Sequence, residues 1–531
     1  MSLPMSYNVT LPFLRSNGSS GSQPALEEPS RPLYLVLALA LSCVVLLCRR
    51  GGRNGDIPFA NAPKWFQPRL VKQLQYLFDP VNKLESGRRM ANGGPFHLLT
   101  DSFEALVLPP EYAELIKDEP HLTFGHFMAD HFHNNIGAFK PFGIFIDTTR
   151  LAYRVIKRHL IRSLQVLVKP VSDETAYALE DAFGSSTEWQ ETIIVDSMLN
   201  VTARLASFVF VGDELARDER WLRISKEYTV HSLSAGMALN LVPRLLRPLA
   251  YRFMPLCRQL HRDYVEACRL VLPLRDRRRE ARREARDRGQ PAPEFNDVLE
   301  WAEVESGGRP YDAVTLQLFF SFAAIHTTTD LVTHTLALLA SHPENLEPLR
   351  SEMIEVLGGE GLSYSSLKNL KLLDSTLKEV QRMKPVELFS LNRKATRDVT
   401  LSNGFVIRKG ELICVDPRRM LDPAVYEDPE QFDIRRFARL REQPEHAHRA
   451  LLVSTSSDHM GFGHGSQACP GRFFAASHLK VALCHLLLKY DWRLAPGADP
   501  APLLFGSARI VNPSLKLIYR RRKEELDLSL I

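Results

Sequence analysis

The chain has 531 residues, 45% hydrophobic and 24% charged, an ordinary globular composition that excludes a disordered or fibrous class and allows one large domain or two to three smaller ones. A net charge of +5 is too weak, averaged over such a surface, to select nucleic acid as a partner. Seven cysteines (Cys43, Cys48, Cys257, Cys268, Cys414, Cys469 and Cys484) are odd in number and include no CxxC pair, which argues against a disulfide framework or a zinc site.

Residues 1–31 form a polar tail carrying the glycosylation sequons Asn8-Val9-Thr10 and Asn17-Gly18-Ser19. From Leu33 to Cys48 the chain then runs uncharged as LYLVLALALSCVVLLC, with Arg31 before it and Arg49, Arg50 and Arg53 after it. This predicts a transmembrane anchor over 32–48. At about 1.5 Å per residue it spans about 24 Å, short of the thin endoplasmic reticulum core, so the flanking arginines must snorkel. A signal peptide fits less well, because Glu27 and Glu28 precede the run and CRRGG follows it in place of a small-residue cleavage site. The arginines after the span predict a lumenal N-terminus and a cytosolic body. Gly51-Gly52, Pro58 and Pro63 mark a linker over 49–63, and residues 64–531 make the cytosolic domain.

Apolar periodicity near 3.6 dominates from about 150 to 390, whereas strand signals are short, as in Val399-Thr400-Leu401 to Val406-Ile407 across Ser402-Asn403-Gly404. The fold class is therefore mainly α with a minor β-sheet. Arg275 to Arg288 holds eight arginines and four acids, and the three- and four-residue spacing of the pairs predicts a solvated helix. A long helix is predicted from about Tyr311 to Ser341, containing Ala323-Ala324-Ile325-His326-Thr327-Thr328. Threonines in such a helix ordinarily bond a carbonyl one turn back. Glu379 and Arg382 share one face of a helix that ends before Pro385. Finally Gly461-Phe462-Gly463-His464-Gly465-Ser466-Gln467-Ala468-Cys469-Pro470-Gly471 describes a constrained turn leading into a helix through Phe474, Leu479 and Leu483. Cys469 thus lies at a helix N-terminus, where the dipole and free amides favour a thiolate. By itself, a cysteine before Pro-Gly is also what a buried turn contains.

These elements, in this order, resemble the cytochrome P450 family over the whole cytosolic body. Phe462, Gly465, Cys469 and Gly471 fit the haem-ligating signature FxxGxxxCxG, Glu379-Val380-Gln381-Arg382 fits ExxR, and Phe432-Asp433-Ile434-Arg435-Arg436-Phe437 is similar to FxPxRF, with Ile434 in place of proline. The resemblance implies a P450 fold and a haem whose iron is bound by Cys469. It also implies a structural network of Glu379, Arg382 and Arg436, and catalysis at Thr327, which would hydrogen-bond oxygen and relay protons. His326 stands where the family carries an acid, and as a group titrating near neutrality it is the candidate substitute. Arg393 resembles the family's propionate-binding arginine, although it reads equally as a surface strand residue. Gln467 replaces a cation at the signature.

The implied reaction is insertion of one atom of O2 into an apolar small molecule. Its electrons would come from a separate NADPH-dependent flavoprotein reductase, since no flavin or dinucleotide fingerprint is visible. The arginines Arg435, Arg436, Arg439 and Arg441 are candidates for docking it. Phe319, Phe320, Phe322 and Ala323, with 385–390 and Phe505-Gly506-Ser507, are candidate pocket residues, though aromatics at such spacing also read as plain core. In detail, FGHG, ACPGRFFA and AAIHTTTD look most like fungal members near ent-kaurene oxidase that act on terpenoid-type intermediates of secondary metabolism. A non-oxygenating isomerase or dehydratase, and a catalytically dead binding protein, are the alternative readings.

Overall fold

The computed structural model describes residues 57–64 and 66–531, so the expected anchor, both sequons and the first half of the linker lie outside the described residues. A compact unit begins at Ile57. The elements that place the site are, in chain order, α1 (Arg69–Phe78), β1 (Phe96–Leu99), β2 (Glu104–Leu108), α2 (Tyr112–Ile116), β3 (Leu122–Thr123) and α3 (Phe124–His131). The helical half follows as α4 (Leu164–Phe183), β4 (Gln190–Ile193), α5 (Ile194–Val211), α6 (Glu219–Asn240), α7 (Pro255–Asp287), α8 (Val298–Ser306), α9 (Ala313–Ser341) and α10 (Lys371–Met383). The C-terminal part carries β5 (Ser390–Ala395), β6 (Val399–Thr400), β7 (Val406–Ile407), β8 (Leu412–Val415), α11 (Arg472–Lys489), β9 (Tyr490–Leu494), β10 (Leu503–Phe505), β11 (Ala508–Ile510) and β12 (Lys516–Arg521).

The long helix α9 is apolar on every side, as befits a helix that other helices surround. Asp312 caps it by accepting from the Thr315 amide at 3.0 Å, and it stops at His342, the residue before Pro343, where a preceding-proline clash disfavours helix. Its packing partners include α5 and α6. Among the described residues α5 is the one helix long and apolar enough to cross a membrane, but most of it is buried, and it is a core helix.

A mixed sheet in the order β1-β2-β8-β5-β3 flanks the helices, with β2 and β8 parallel and the remaining pairs antiparallel. Its register slips between Ser390 and Arg393, where Leu391 takes a left-handed backbone with φ of 50°. The other pairings are β4-β12-β9, the hairpin β10-β11 and the expected hairpin β6-β7, whose turn uses Gly404 at φ 84°.

One expectation needs amendment. The arginine-rich stretch is helical, but its main partners lie on or beside the next helix rather than one turn along its own. Arg278 is buried and pairs with Asp297 at 2.7 and 2.9 Å, Arg279 forks onto Glu303, and Arg282 reaches Glu300. Only pairs such as Arg288–Glu284 are solvated and intrahelical.

Candidate active site

The glycine-rich loop before α11 is clamped on two sides. Its turn closes when the Gly463 amide donates to the Met460 carbonyl and the Cys469 amide to the Phe462 carbonyl, both at 2.8 Å. Gly465, at φ 78°, lies so close to the end of α2 that a Cβ would meet the Lys117 carbonyl oxygen at 2.4 Å. On the same side His464 Nε2 meets Glu114 at 3.1 Å and the Ser466 amide donates to Asp118 at 2.7 Å. Gln467 closes the clamp, donating to the Leu122 carbonyl and accepting from the Phe124 amide, each at 2.8 Å. Its amide is thereby spent on backbone.

Cys469 alone of the described cysteines is exposed. Burial pushes its thiol upward, whereas the amides of Gly471 and Arg472 and the Arg472 charge pull it back. A Cβ on Gly471 would stand 4.0 Å from the sulfur, so the sulfur's near surroundings there are backbone.

Helix α9 presents two exposed residues in an otherwise buried or half-buried span, Ala323 and Thr327, one turn apart. The Thr327 hydroxyl donates to the Ala323 carbonyl at 3.0 Å. His326 points elsewhere: Nε2 lies 2.8 Å from the Lys226 carbonyl of α6, and because a carbonyl only accepts, Nε2 carries the proton. Burial lowers the pKa of this histidine, so it is neutral near pH 7.

Glu379 and Arg382 are fully buried on α10 and joined by two bonds of 2.8 Å, and Arg436 adds a third to Glu379 at 3.0 Å. The spare guanidinium hydrogens go to the carbonyls of Met420, Pro429 and Asp428. Arg436 is therefore committed to the interior, and Arg439 is tied to Asp433.

Arg393 on β5 is 4% exposed, donates to the Asn392 carbonyl at 2.8 Å and faces the Phe124 ring, yet among the described residues no carboxylate pairs with it. Burial pushes it down to about 10. A buried cation without a counter-charge costs several kcal/mol. An anionic group such as a haem propionate fits this position, and with the sulfur of Cys469 the residues present suit a haem.

The ring contacts form a closed chain that starts and ends on α9: Phe319 to Phe145, Phe124, Phe127, His131, Phe132, Phe142 and back to Phe322, with centroids 4.1–6.4 Å apart. Phe320 faces away, packing on Phe210, which touches Phe474 of α11. Phe505 is half exposed on β10, whose partner strand β11 bridges Glu387 through Ala508. Sequence reasoning missed the girdle residues of 124–145, although six phenylalanines between Phe124 and Phe145 were there to be noticed.

Residues 103–520 match the family model described as Cytochrome P450. The chain is 40% identical to the cytochrome P450 monooxygenase eqxH of Fusarium heterosporum, over 95% of this chain and 98% of that one. It is 39% identical to the monooxygenase hepE of Aspergillus oryzae (94% and 91% covered) and 37% identical to adrA of Penicillium rubens (93% and 97%). Among solved structures, a retinoic acid-bound cyanobacterial CYP120A1 superposes with a TM-score of 0.63 at 20% identity, covering 88% of this chain and all of that one, a likeness of fold. The fold, the ordered site elements and these full-length relatives agree, and the chain belongs to the cytochrome P450 family of haem-thiolate monooxygenases.

Proposed function

We propose that Cys469 would hold the haem iron through its thiolate, and that the enzyme oxidises an apolar, terpenoid-type intermediate of fungal secondary metabolism. The observation that carries this reading is an accessible cysteine in a doubly clamped loop bonded to Phe124, whose ring faces the buried Arg393, for which no carboxylate partner exists among the described residues. When bound, a thiolate-ligated haem supplies the activation of O2 for insertion into an unactivated C–H bond. Arg393 would neutralise a propionate, and Gln467, held on Leu122 and Phe124, positions the loop without contributing charge. Thr327 is the proton-handling hydroxyl: its hydrogen rests on the Ala323 carbonyl, which leaves its oxygen to act as an acceptor. His326, neutral and bonded to α6, serves to set the position of α9 rather than to carry a proton, which revises the role expected for it. The aromatic girdle excludes water and favours an apolar skeleton.

Electrons come from a separate NADPH-dependent flavoprotein reductase, and the enzyme sits on the endoplasmic reticulum membrane through residues 32–48. Exposed apolar side chains such as Phe78, Leu245, Leu249 and Phe253 support a membrane-apposed body. Cys469→Ala is expected to lose the thiolate-type Soret position of the reduced, carbon monoxide-bound protein, and its retention would overturn the assignment. Thr327→Ala is expected to consume NADPH without matching product, read as the ratio of product to NADPH oxidised. Microsomes carrying the enzyme and a reductase, given a panel of terpenoid scaffolds, test the substrate class by product mass.

A further inference from the structure

The turn between α10 and β5 places one carboxyl group where an apolar pocket has least use for it. Glu387 lies in a segment zipped to the β10-β11 hairpin: the Leu388 amide donates to the Ser507 carbonyl at 2.9 Å and the Arg509 amide to the Val386 carbonyl at 2.7 Å. Tyr76, whose hydroxyl lies 2.9 Å from Ser507 Oγ of the same hairpin turn, and Cys414 of β8 are fully buried, yet Glu387 itself is exposed. Its carboxyl is thus open to a small molecule. No cation meets it. Among the described residues its single hydrogen-bond partner is the Asn392 amide, 2.8 Å from one carboxyl oxygen, and the other oxygen receives nothing. The carbonyl oxygen of the Asn392 side chain is buried and also without a partner.

Two acceptors lie side by side, and the buried one, the Asn392 oxygen, is costly to leave unfilled unless a donor reaches it. Their placement is specific. The left-handed Leu391 and the register slip bring Asn392 back toward Glu387, while the Asn392 backbone carbonyl holds Arg393. The pair therefore sits immediately beside the arginine assigned to the haem propionate. Burial raises the carboxyl of Glu387 above its usual range, the Asn392 bond opposes this, and the charge of Asp101 adds to it. A water-poor setting strengthens a hydrogen bond to such a group.

We propose that Glu387, steered by Asn392, is the specificity-determining anchor of the pocket, and that the substrate carries a hydroxyl group that donates to Glu387 from an otherwise apolar skeleton. This rests on the reading of the pocket as a haem site beside Arg393. The carboxyl accepts the hydroxyl hydrogen, the Asn392 carbonyl offers a second acceptor, and the aromatic girdle packs the hydrocarbon. The substrate is then gripped at one end, which fixes which carbon faces the oxygen side.

The test uses the purified full-length holoenzyme, with haem content and thiolate ligation checked first by the reduced carbon monoxide spectrum. Failure of the haem reading would appear there, and failure of the anchor only afterwards. Three flexible probes of matched chain, 1-dodecanol, dodecyl methyl ether and dodecane, are titrated by the Soret shift. The expected result is that the alcohol binds about tenfold more tightly than the ether, the range of one hydrogen bond to an ionisable group. This ratio should fall to about one in Glu387→Ala and to an intermediate value in Glu387→Gln, whose carboxamide oxygen still accepts. Should the alanine variant not retain haem, the isosteric glutamine variant decides. An unchanged ratio in the variants, no preference for the alcohol in the native enzyme, or no response to any probe would each overturn the proposal.

Discussion

Single residues decide the electrostatics of this site. Arg393 is buried and among the described residues has no carboxylate partner, the observation on which its proposed role toward a haem propionate rests. Arg393→Leu is expected to weaken haem retention at least tenfold while Arg393→Lys loses less, read as haem transfer to apomyoglobin. Asp330, one turn beyond Thr327, carries a carboxyl that burial pushes up to about 7, while the Val511 amide it accepts from at 3.2 Å opposes this. Its pKa is higher folded than unfolded, so ionising it costs stability, a cost absent below about pH 4 and complete above pH 7. Asp330→Asn keeps the acceptor and is expected to raise stability at pH 8 by up to about 4 kcal/mol, with little change at pH 4, in urea unfolding at both values. Glu114 behaves oppositely. The Lys117 bond, aided by Ser457 and His464 and opposed by burial, lowers it to about 2, so its support of the ligand loop is full above the unfolded carboxyl range and fades as pH falls toward 2.

At the scale of elements, the loop carrying Cys469 is rigid because neighbours on both sides specify it. A Cβ on Gly461 would collide with the Gln381 side chain of α10, and a Cβ on Gly465 with the backbone after α2. The same α10 carries the fully buried Glu379–Arg382 pair, completed by Arg436. Glu379→Gln would leave two guanidinium groups without their anion and is expected to destabilise the domain by about 3–5 kcal/mol, visible as a lowered urea midpoint and poor haem incorporation. The arginines of α7 make a comparable joint with α8, because Arg278, Arg279 and Arg282 bind carboxylates across the gap or at the α8 cap. Spacing along one helix favours self-pairing, but buried charges select the partner that also satisfies their geometry.

For the whole molecule, the full chain is expected to resist alkaline carbonate extraction from microsomes and the fragment 57–531 to be released by it, a direct test of the anchor over 32–48. The helical class, the long helix at 313–341, the ExxR pair and the turn holding Cys469 were all legible in the sequence, because each rests on local rules of spacing, capping and glycine placement. Family resemblance could nominate Arg393, Thr327 and His326 but not aim their side chains. His326 differs from Thr327 by one position, a rotation of about 100° around the helix, and that is enough to send it to α6 while Thr327 stays exposed. Phe319 and Phe320 part for the same reason, one to the girdle and one to the core. The sequence alone determined that Cys469 heads a helix from a constrained turn. Only the tertiary structure decided that Gln467 is spent on the backbone of 122–124, that Arg393 meets no carboxylate among the described residues, and that Glu387 meets Asn392, because these depend on segments distant in sequence and on a register slip that no local pattern encodes.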